Sequence, residues 1–371
     1  MNGVNLPSTQ GVDNVAVSLA GVRVLDLTRL LPGGFCSLLL AEQGADVTKL
    51  EAPDGDPLRH YPPLINGQSV LFDAISAGKR SAVLDLKAEA GREALLRLAA
   101  HSDVVLEGNR PGTLERLGLG WPVLSAANPR LILCSLTGYG QTGKLAGRAG
   151  HDLNYVALAG VLALNRPRGG APHPLSVQVA DLGGAQMAAF QIAGALYDVA
   201  RGRSGRHLDV GLARTAHHWL ELTLAEQAAA PSELAPQLSG RYACYDVYAC
   251  RDGGFLSLAA LEAKFWANLC RALGRPDLRG RQFHPDQAAL RQELQAIFAA
   301  RGRDEWAQQL AGEDVCCEPV LELSQVVAAN HWPAQPPRRP APRLGEHTAE
   351  VLAEVGLGSG ATGGVGGPGL G

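Results

Sequence analysis

The feature that most narrows the fold is an alternation, sustained from residue 21 to residue 212, of short apolar runs with helical runs of ten or more residues. GVRVLDLT (21–28) reads as a buried strand. PGGFCSLLLAEQG (32–44) reads as a helix stopped at Gly44, and ADVTKLE (45–51) as a second strand. AVLDL (82–86), DVVLEG (103–108) and RLILCSL (130–136) continue the series, with the helix KAEAGREALLRLAAH (87–101) between the first two of these. DLGGAQMAAFQIAGALYDVARG (181–202) reads as one buried helix leading into the strand HLDVGL (207–212). Strands separated by helices of this length are joined as βαβ crossovers, so the sheet is predicted to be parallel and covered by helices.

Beyond Glu221 the strand signals stop and the chain turns rich in Ala, Gln, Pro and Ser to Arg241, which reads as a helix running into a linker (221–241). CYDVYAC and GFLSLAA, separated by RDG, signal a hairpin. With helices at LEAKFWANLCRALG (261–274), 287–300 and 303–311 they define a smaller α+β domain over 242–325. The large domain is therefore predicted over 1–220, completed by roughly 326–357. A proline-rich stretch (332–344) and a mobile glycine-rich tail (358–371) follow. No internal repeat is visible.

Composition excludes some functions. Net charge is −3 over 371 residues, so no basic face marks a dedicated nucleic-acid binder. The longest apolar stretch, Tyr155 to Leu164, carries a glycine and is too short for a bilayer. The N-terminus is polar, so no signal peptide is expected. Seven cysteines without a CxxC pair suggest neither zinc nor a disulfide framework. A cytoplasmic protein is the expectation.

Several motifs carry chemistry. GYGQTG (138–143) is formally GxGxxG, but it follows the fifth strand and KLAGRAG, rich in helix breakers, comes next. A dinucleotide fingerprint needs a helix there and an acidic residue about 20 positions on. Gly138 and Gly140 therefore read as a flexible loop near a ligand. GHDLNYVAL (150–158) puts His151 and Asp152 before a helical run. Asp152 alone is an ordinary N-cap and His151 an ordinary surface residue. Together they offer free helix N–H groups for an oxyanion beside an imidazole. Asp181, in VADLGG (179–184), is either an N-cap or a carboxylate at the C-terminal sheet edge, with two glycines that let a ligand approach. Glu262, at the start of a helix, is stabilising there on charge alone. Arg110 in NRPG (109–112), and Lys79 and Arg80 in AGKRS (77–81), are surface charges or phosphate holders.

Taken in order, LAGVRVLDLTRLLPGGFCSLLLAEQGADVTKLEAPDGDP, GKRSAVLDLK, VVLEGNRPGTLERLGLG, LTGYGQTG, GHDLNY, VADLGG and RSGRHLDVGL resemble the class III CoA-transferase (CaiB/BaiF) family over roughly residues 19–330. Plain CoA-transferases of the family usually carry an aromatic residue at the position of His151. GHDLNY instead looks like the α-methylacyl-CoA racemase branch. In that branch a His and an Asp move the proton beside a Glu, which the resemblance maps onto His151, Asp181 and Glu262. The family Tyr before that Glu matches Tyr245, and Tyr155 falls among the residues of the CoA site. The implied fold is an α/β domain with a Rossmann-like sheet plus the smaller α+β domain, in an interlocked homodimer that brings Glu262 to His151 across the interface. Departures are Val177 in place of Asn, Ala52 in place of a basic residue, Gly108 and Asn109 in place of Asn-Phe, and Lys144 in place of Pro.

The activity this implies is inversion at the 2-position of a 2-methylacyl-CoA through an enolate. No metal or redox cofactor is required, and coenzyme A is part of the substrate. The Asp152 N–H is the expected oxyanion donor, and residues 160–178 are expected to line the acyl site. Alternatives are CoA transfer through an Asp181 anhydride and a non-catalytic acyl-CoA-binding protein. A nicotinamide dehydrogenase rests on GYGQTG alone.

Overall fold

The computed structural model describes residues 18–230, 237–329, 339–358 and 362. The polar N-terminus, part of the proline-rich stretch and nearly all of the glycine-rich tail lie outside the described residues. The chain divides into a large unit, residues up to Leu220 together with those from Arg339 on, and a small unit between them. The expected return to the large unit near 326 comes later, because the helix Leu323–Ala329 groups with the small one.

The large unit holds strands β1 (Arg23–Asp26), β2 (Asp46–Glu51), β3 (Leu64–Ile65), β4 (Gln68–Ser69), β5 (Arg80–Val83), β6 (Val104–Glu107), β7 (Ile132–Thr137) and β8 (Arg206–Gly211). Its helices are α1 (Leu30–Glu42), α2 (Val70–Ser76), α3 (Glu89–Ala100), α4 (Thr113–Arg116), α5 (Trp121–Ala127), α6 (Asp152–Ala159), α7 (Val161–Leu164), α8 (Val179–Ala200) and α9 (Leu212–His218). β3 and β4 form a small hairpin. The other six strands make one wholly parallel sheet in the order β5-β2-β1-β6-β7-β8. Every residue of β6 and β7 is buried, as expected for central parallel strands roofed on both faces. Strand order reverses between β1 and β6, so the loops leaving these two strands diverge and open a crevice at their C-terminal ends.

α8 is long because nothing in its interior breaks it, and it packs closely through Ala180, Gly184, Ala185, Ala188, Ile192 and Ala195. It ends at Gly202 (φ 83°), where Gly202 N–H donates to Val199 O and Arg203 N–H to Asp198 O, a Schellman stop. Since β7 and β8 run parallel, α8 runs back across the sheet, and its first turn lies at the C-terminal edge.

The third sheet strand starts earlier than the sequence reading. It spans Arg80–Val83 rather than 82–86, because its polar start finds partners. Ser81 bonds Glu51 at 2.7 Å and Arg80 bonds Asp46 at 2.8 Å. The C-terminal segment covers the outer side of this edge strand: His347 N–H donates to Ser81 O, Val83 N–H to Thr348 Oγ1, and Asp85 N–H to Thr362 O. The helix Thr348–Ala353 completes the cover.

In the small unit, after α10 (Glu221–Ala229), β9 (Tyr245–Ala249) and β10 (Phe255–Ala259) form the expected hairpin, and β11 (Cys317–Pro319) adds an antiparallel strand. α11 (Ala263–Ala272), α12 (Gln287–Phe298) and α13 (Arg303–Leu310) cover it around Tyr248, Trp266, Phe298 and Trp306.

Candidate active site

Two helix starts meet at the C-terminal edge of the parallel sheet. His151 is the N-cap of α6, with extended backbone (φ −124°, ψ 176°), and its N–H donates to Asn154 Oδ1 at 3.1 Å. Asp152 is thus the first helical residue rather than the cap. Its carboxylate is turned away from its own helix. Oδ1 accepts from Ala180 N–H at 2.8 Å and Asp181 N–H at 3.0 Å, so it caps the first turn of α8. One side chain thereby joins the helix that begins with His151 to the helix that presents Asp181. Gln178 is the N-cap of α8, and Asp181 stands in the first turn with its carboxyl accepting no hydrogen bond from the described residues. Burial first, and then the charge of Asp152, push Asp181 up to about 7. The His151 side chain is exposed.

Tyr155 forms the wall beside them. Its hydroxyl donates to Gly150 O, its ring meets Tyr139 edge-on at 5.2 Å, and burial followed by the Asp181 charge raises it to about 12. Gly138 is explained by this ring, since a Cβ there would lie 2.5 Å from Tyr155 Cε1. Gly140 has φ 88°, and the Gln141 N–H beyond it is tied to Asp209 Oδ1 at 2.9 Å. The GYGQTG loop is therefore tied to β8 at Gln141, with Gly138 making room for the Tyr155 ring and Gly140 turning the chain. Gly183 and Gly184 differ from expectation. A Cβ on them would strike Trp219 at 2.1 Å and Leu212 at 2.2 Å, so protein side chains occupy the space expected for a ligand.

At the β1/β6 switch point lies a cavity of about 260 Å³, lined among others by Leu27, Arg29, Ala52, Leu84, Lys87 and Asn109. Leu30, beside it, has φ 61°, held by Asp56, whose two carboxylate oxygens accept its N–H at 3.2 and 3.3 Å. Arg110, exposed and next to Asn109, lowers the Tyr155 hydroxyl through its charge, opposing burial and Asp181.

Lys79 and Arg80 are committed elsewhere. Lys79 is buried, its Nζ donating to Gly34 O at 2.8 Å and Ser37 Oγ at 2.7 Å, with Asp26 at 3.7 Å. Arg80 pairs with Asp46, Glu350 and Glu354. Neither is open to a ligand phosphate.

A family model for CoA-transferase family III matches residues 19–337. The chain belongs to CoA-transferase family III. Among curated relatives of this family III protein, human α-methylacyl-CoA racemase is 33% identical over 92% of this chain and 94% of its own length. Succinyl-CoA:mesaconate CoA-transferase of Haloarcula hispanica is 30% identical over 92% and 98%. A solved CaiB/BaiF family protein from Brucella suis superposes with a TM-score of 0.78 at 29% identity, covering 91% of this chain and 99% of that one. The relatives are racemases and CoA-transferases, so this family III member is an enzyme of one of these kinds. Among the described residues no helix is long and apolar enough to cross a membrane.

Two further site residues named from the sequence lie in the small unit. Glu262 is the exposed N-cap of α11, with no side-chain capping bond, and Tyr245 opens β9. Missed altogether were the cavity residues Arg29 and Lys87 and the capping role of the Asp152 carboxylate. The first needs strand order, which no local pattern carries. The second had a signal in the motif itself, since an Asp directly after an N-cap residue is free to cap a neighbouring helix.

Proposed function

We propose that the protein inverts the 2-position of a 2-methylacyl-CoA by 1,1-proton transfer. The observation that carries this is the Asp181 carboxyl, unbonded, largely buried and titrating near 7, on a helix start joined to that of His151. A proton-transfer group works best with a pKa near the operating pH.

In this reading one of His151 and Asp181 removes the C2 proton and the other returns one to the opposite face. The enolate oxygen accepts from the Asp152 N–H, which has no partner within its own helix at the first helical position. Glu262, supplied by a second chain, orients the imidazole. The nucleotide end of CoA takes the switch-point cavity, with Arg29 and Lys87 replacing Lys79 and Arg80 as phosphate contacts, and Arg110 stands along the path to Asp181. The chemistry draws on no resident metal or redox cofactor. A charge-assisted contact is worth about 1.5–3 kcal/mol, so Arg110→Ala is expected to raise KM about 10- to 100-fold with little change in kcat or melting temperature. Steady-state kinetics check it, and an unchanged KM removes Arg110 from the path.

CoA transfer through an Asp181 anhydride is the second reading, supported by the likeness to the mesaconate transferase. Incubating the protein in D₂O with a panel of acyl-CoAs, with and without free acids, and then trapping with hydroxylamine separates the two. Deuterium at C2 without a covalent adduct supports inversion. An adduct at Asp181 with CoA passing to the acid supports transfer. CoA binding with neither leaves a non-catalytic binder.

A further inference from the structure

We infer that the Asp152 carboxylate is a positioning residue acting through Asp181: it accepts the Ala180 and Asp181 N–H groups, which fixes the first turn of α8, and it sets a fixed negative charge against the residue that is to move the proton. This rests on the proton-transfer reading above.

The geometry assigns both parts. Asp152 is 8% exposed, and a carboxylate so buried must be compensated. No cation pairs with it among the described residues. Its compensation comes from the Ala180 and Asp181 N–H groups at 2.8 and 3.0 Å, at the positive end of the 22-residue helix α8. The charge that caps α8 therefore sits against the backbone of the residue whose side chain is to move the proton. A like charge at this range favours the neutral carboxylic acid. Burial raises Asp181 first, and the Asp152 charge adds to it. Of the other titratable groups at this end, Tyr155 has its hydroxyl pushed up to about 12, and His151, the exposed N-cap of α6, stands directly before Asp152. A neutral asparagine keeps an acceptor oxygen for the two N–H groups but removes the like charge, which leaves Asp181 a stronger acid. A charged cap makes Asp181 able both to give and to take a proton near neutral pH.

The test follows the Asp181 carboxyl by ¹³C NMR titration in the full chain, assigned with Asp181→Asn, for wild type and Asp152→Asn. The asparagine retains the acceptor oxygen and removes the charge. The wild-type midpoint is expected near neutral. In Asp152→Asn it is expected to be lower, and the matching limb of the isotope-exchange pH profile is expected to shift the same way. Asp152→Ala, lacking the acceptor as well, is expected to lose more in kcat. A well-folded Asp152→Asn with an unmoved midpoint overturns the inference. So does a wild-type midpoint in the ordinary carboxylate range, which needs no variant. A protein with no isotope exchange but a midpoint that moves retires the racemase reading and supports the coupling. One that exchanges with an unmoved midpoint retires the coupling alone.

Discussion

Asp181→Asn is expected to abolish deuterium incorporation at C2 and, in the same protein, to raise stability above pH 7. On the first count, each well-placed proton-transfer group contributes typically about 10²–10⁴-fold, and an amide can neither take nor give the proton at this step. His151→Ala should be comparably damaging, since inversion needs a group on each face of the carbon. On the second count the sign follows from the titration. Asp181 moves from 3.8 up to about 7 on folding, so the folded state holds this proton more tightly than the unfolded chain. Its contribution to stability is complete below about pH 4 and is lost as pH rises through 7. At pH 8 the wild type keeps a largely buried carboxylate beside Asp152 with no compensating cation. The full shift corresponds to about 4 kcal/mol at 1.36 kcal/mol per unit. With solvent at the rim returning part of that, a gain of about 2 kcal/mol at pH 8 and little at pH 4 is expected for Asn. Such opposition of activity and stability is common where a site holds a group in a costly environment. Proton exchange by NMR and melting curves at pH 4 and 8 check both. Exchange surviving within tenfold in either variant would reject the proton-transfer assignment.

Lys79→Met carries the largest expected loss of stability. Asp26 is buried at the end of β1, bonded by Ser37 Oγ and Thr28 Oγ1, each at 2.5 Å. Burial would raise its pKa, but the charges of Lys49 and Lys79 hold it below the usual value. Lys79 itself is pushed down to about 8, by burial above all. Lys49 is shared, its Nζ lying 2.8 Å from Asp56. Removing Lys79 leaves Asp26 with half its cationic compensation in a site without water access, and breaking a buried pair from one side costs about 3–5 kcal/mol. The double change Lys79→Met with Asp26→Asn should cost less than the sum of the two singles. The pH dependence gives an independent check. Lys79 binds its proton less tightly folded than unfolded, so the unfolded chain carries more protons between about pH 8 and 10.5. Wild-type stability from this group therefore rises with pH across that window, and the variant should lack the rise. Urea midpoints measure both quantities. A loss below about 1 kcal/mol would mean that Lys49 and the hydroxyls suffice for Asp26.

The same buried charges explain what could be read in advance. β6 and β7 were legible because strands roofed on both faces must be apolar, and no charge lies within either until Glu107 at the end of β6. β5 was misplaced by two residues because Arg80 and Ser81 look like loop residues until Asp46, Glu51 and Glu350, distant in sequence, are brought beside them. His151 and Asp181 were legible as residue types in motifs. Their proximity was not, since the link is one carboxylate that reaches from α6 to α8, to a residue 28 positions on. Gly183 and Gly184 were legible as glycines needed for space but not as space for Trp219 and Leu212, because the occupant of a gap is set by tertiary packing. β11, three residues long, is too short for any periodicity to show.

The cover on β5 has a consequence for the nascent chain. Its hydrogen-bonding partners, His347 and Thr348, follow the whole small unit in the chain and emerge only after it. Until then the outer rim of the sheet is an unpaired template open to other strands. Chains that stop just upstream of residue 339 are therefore expected to aggregate through this open edge rather than give shortened enzymes.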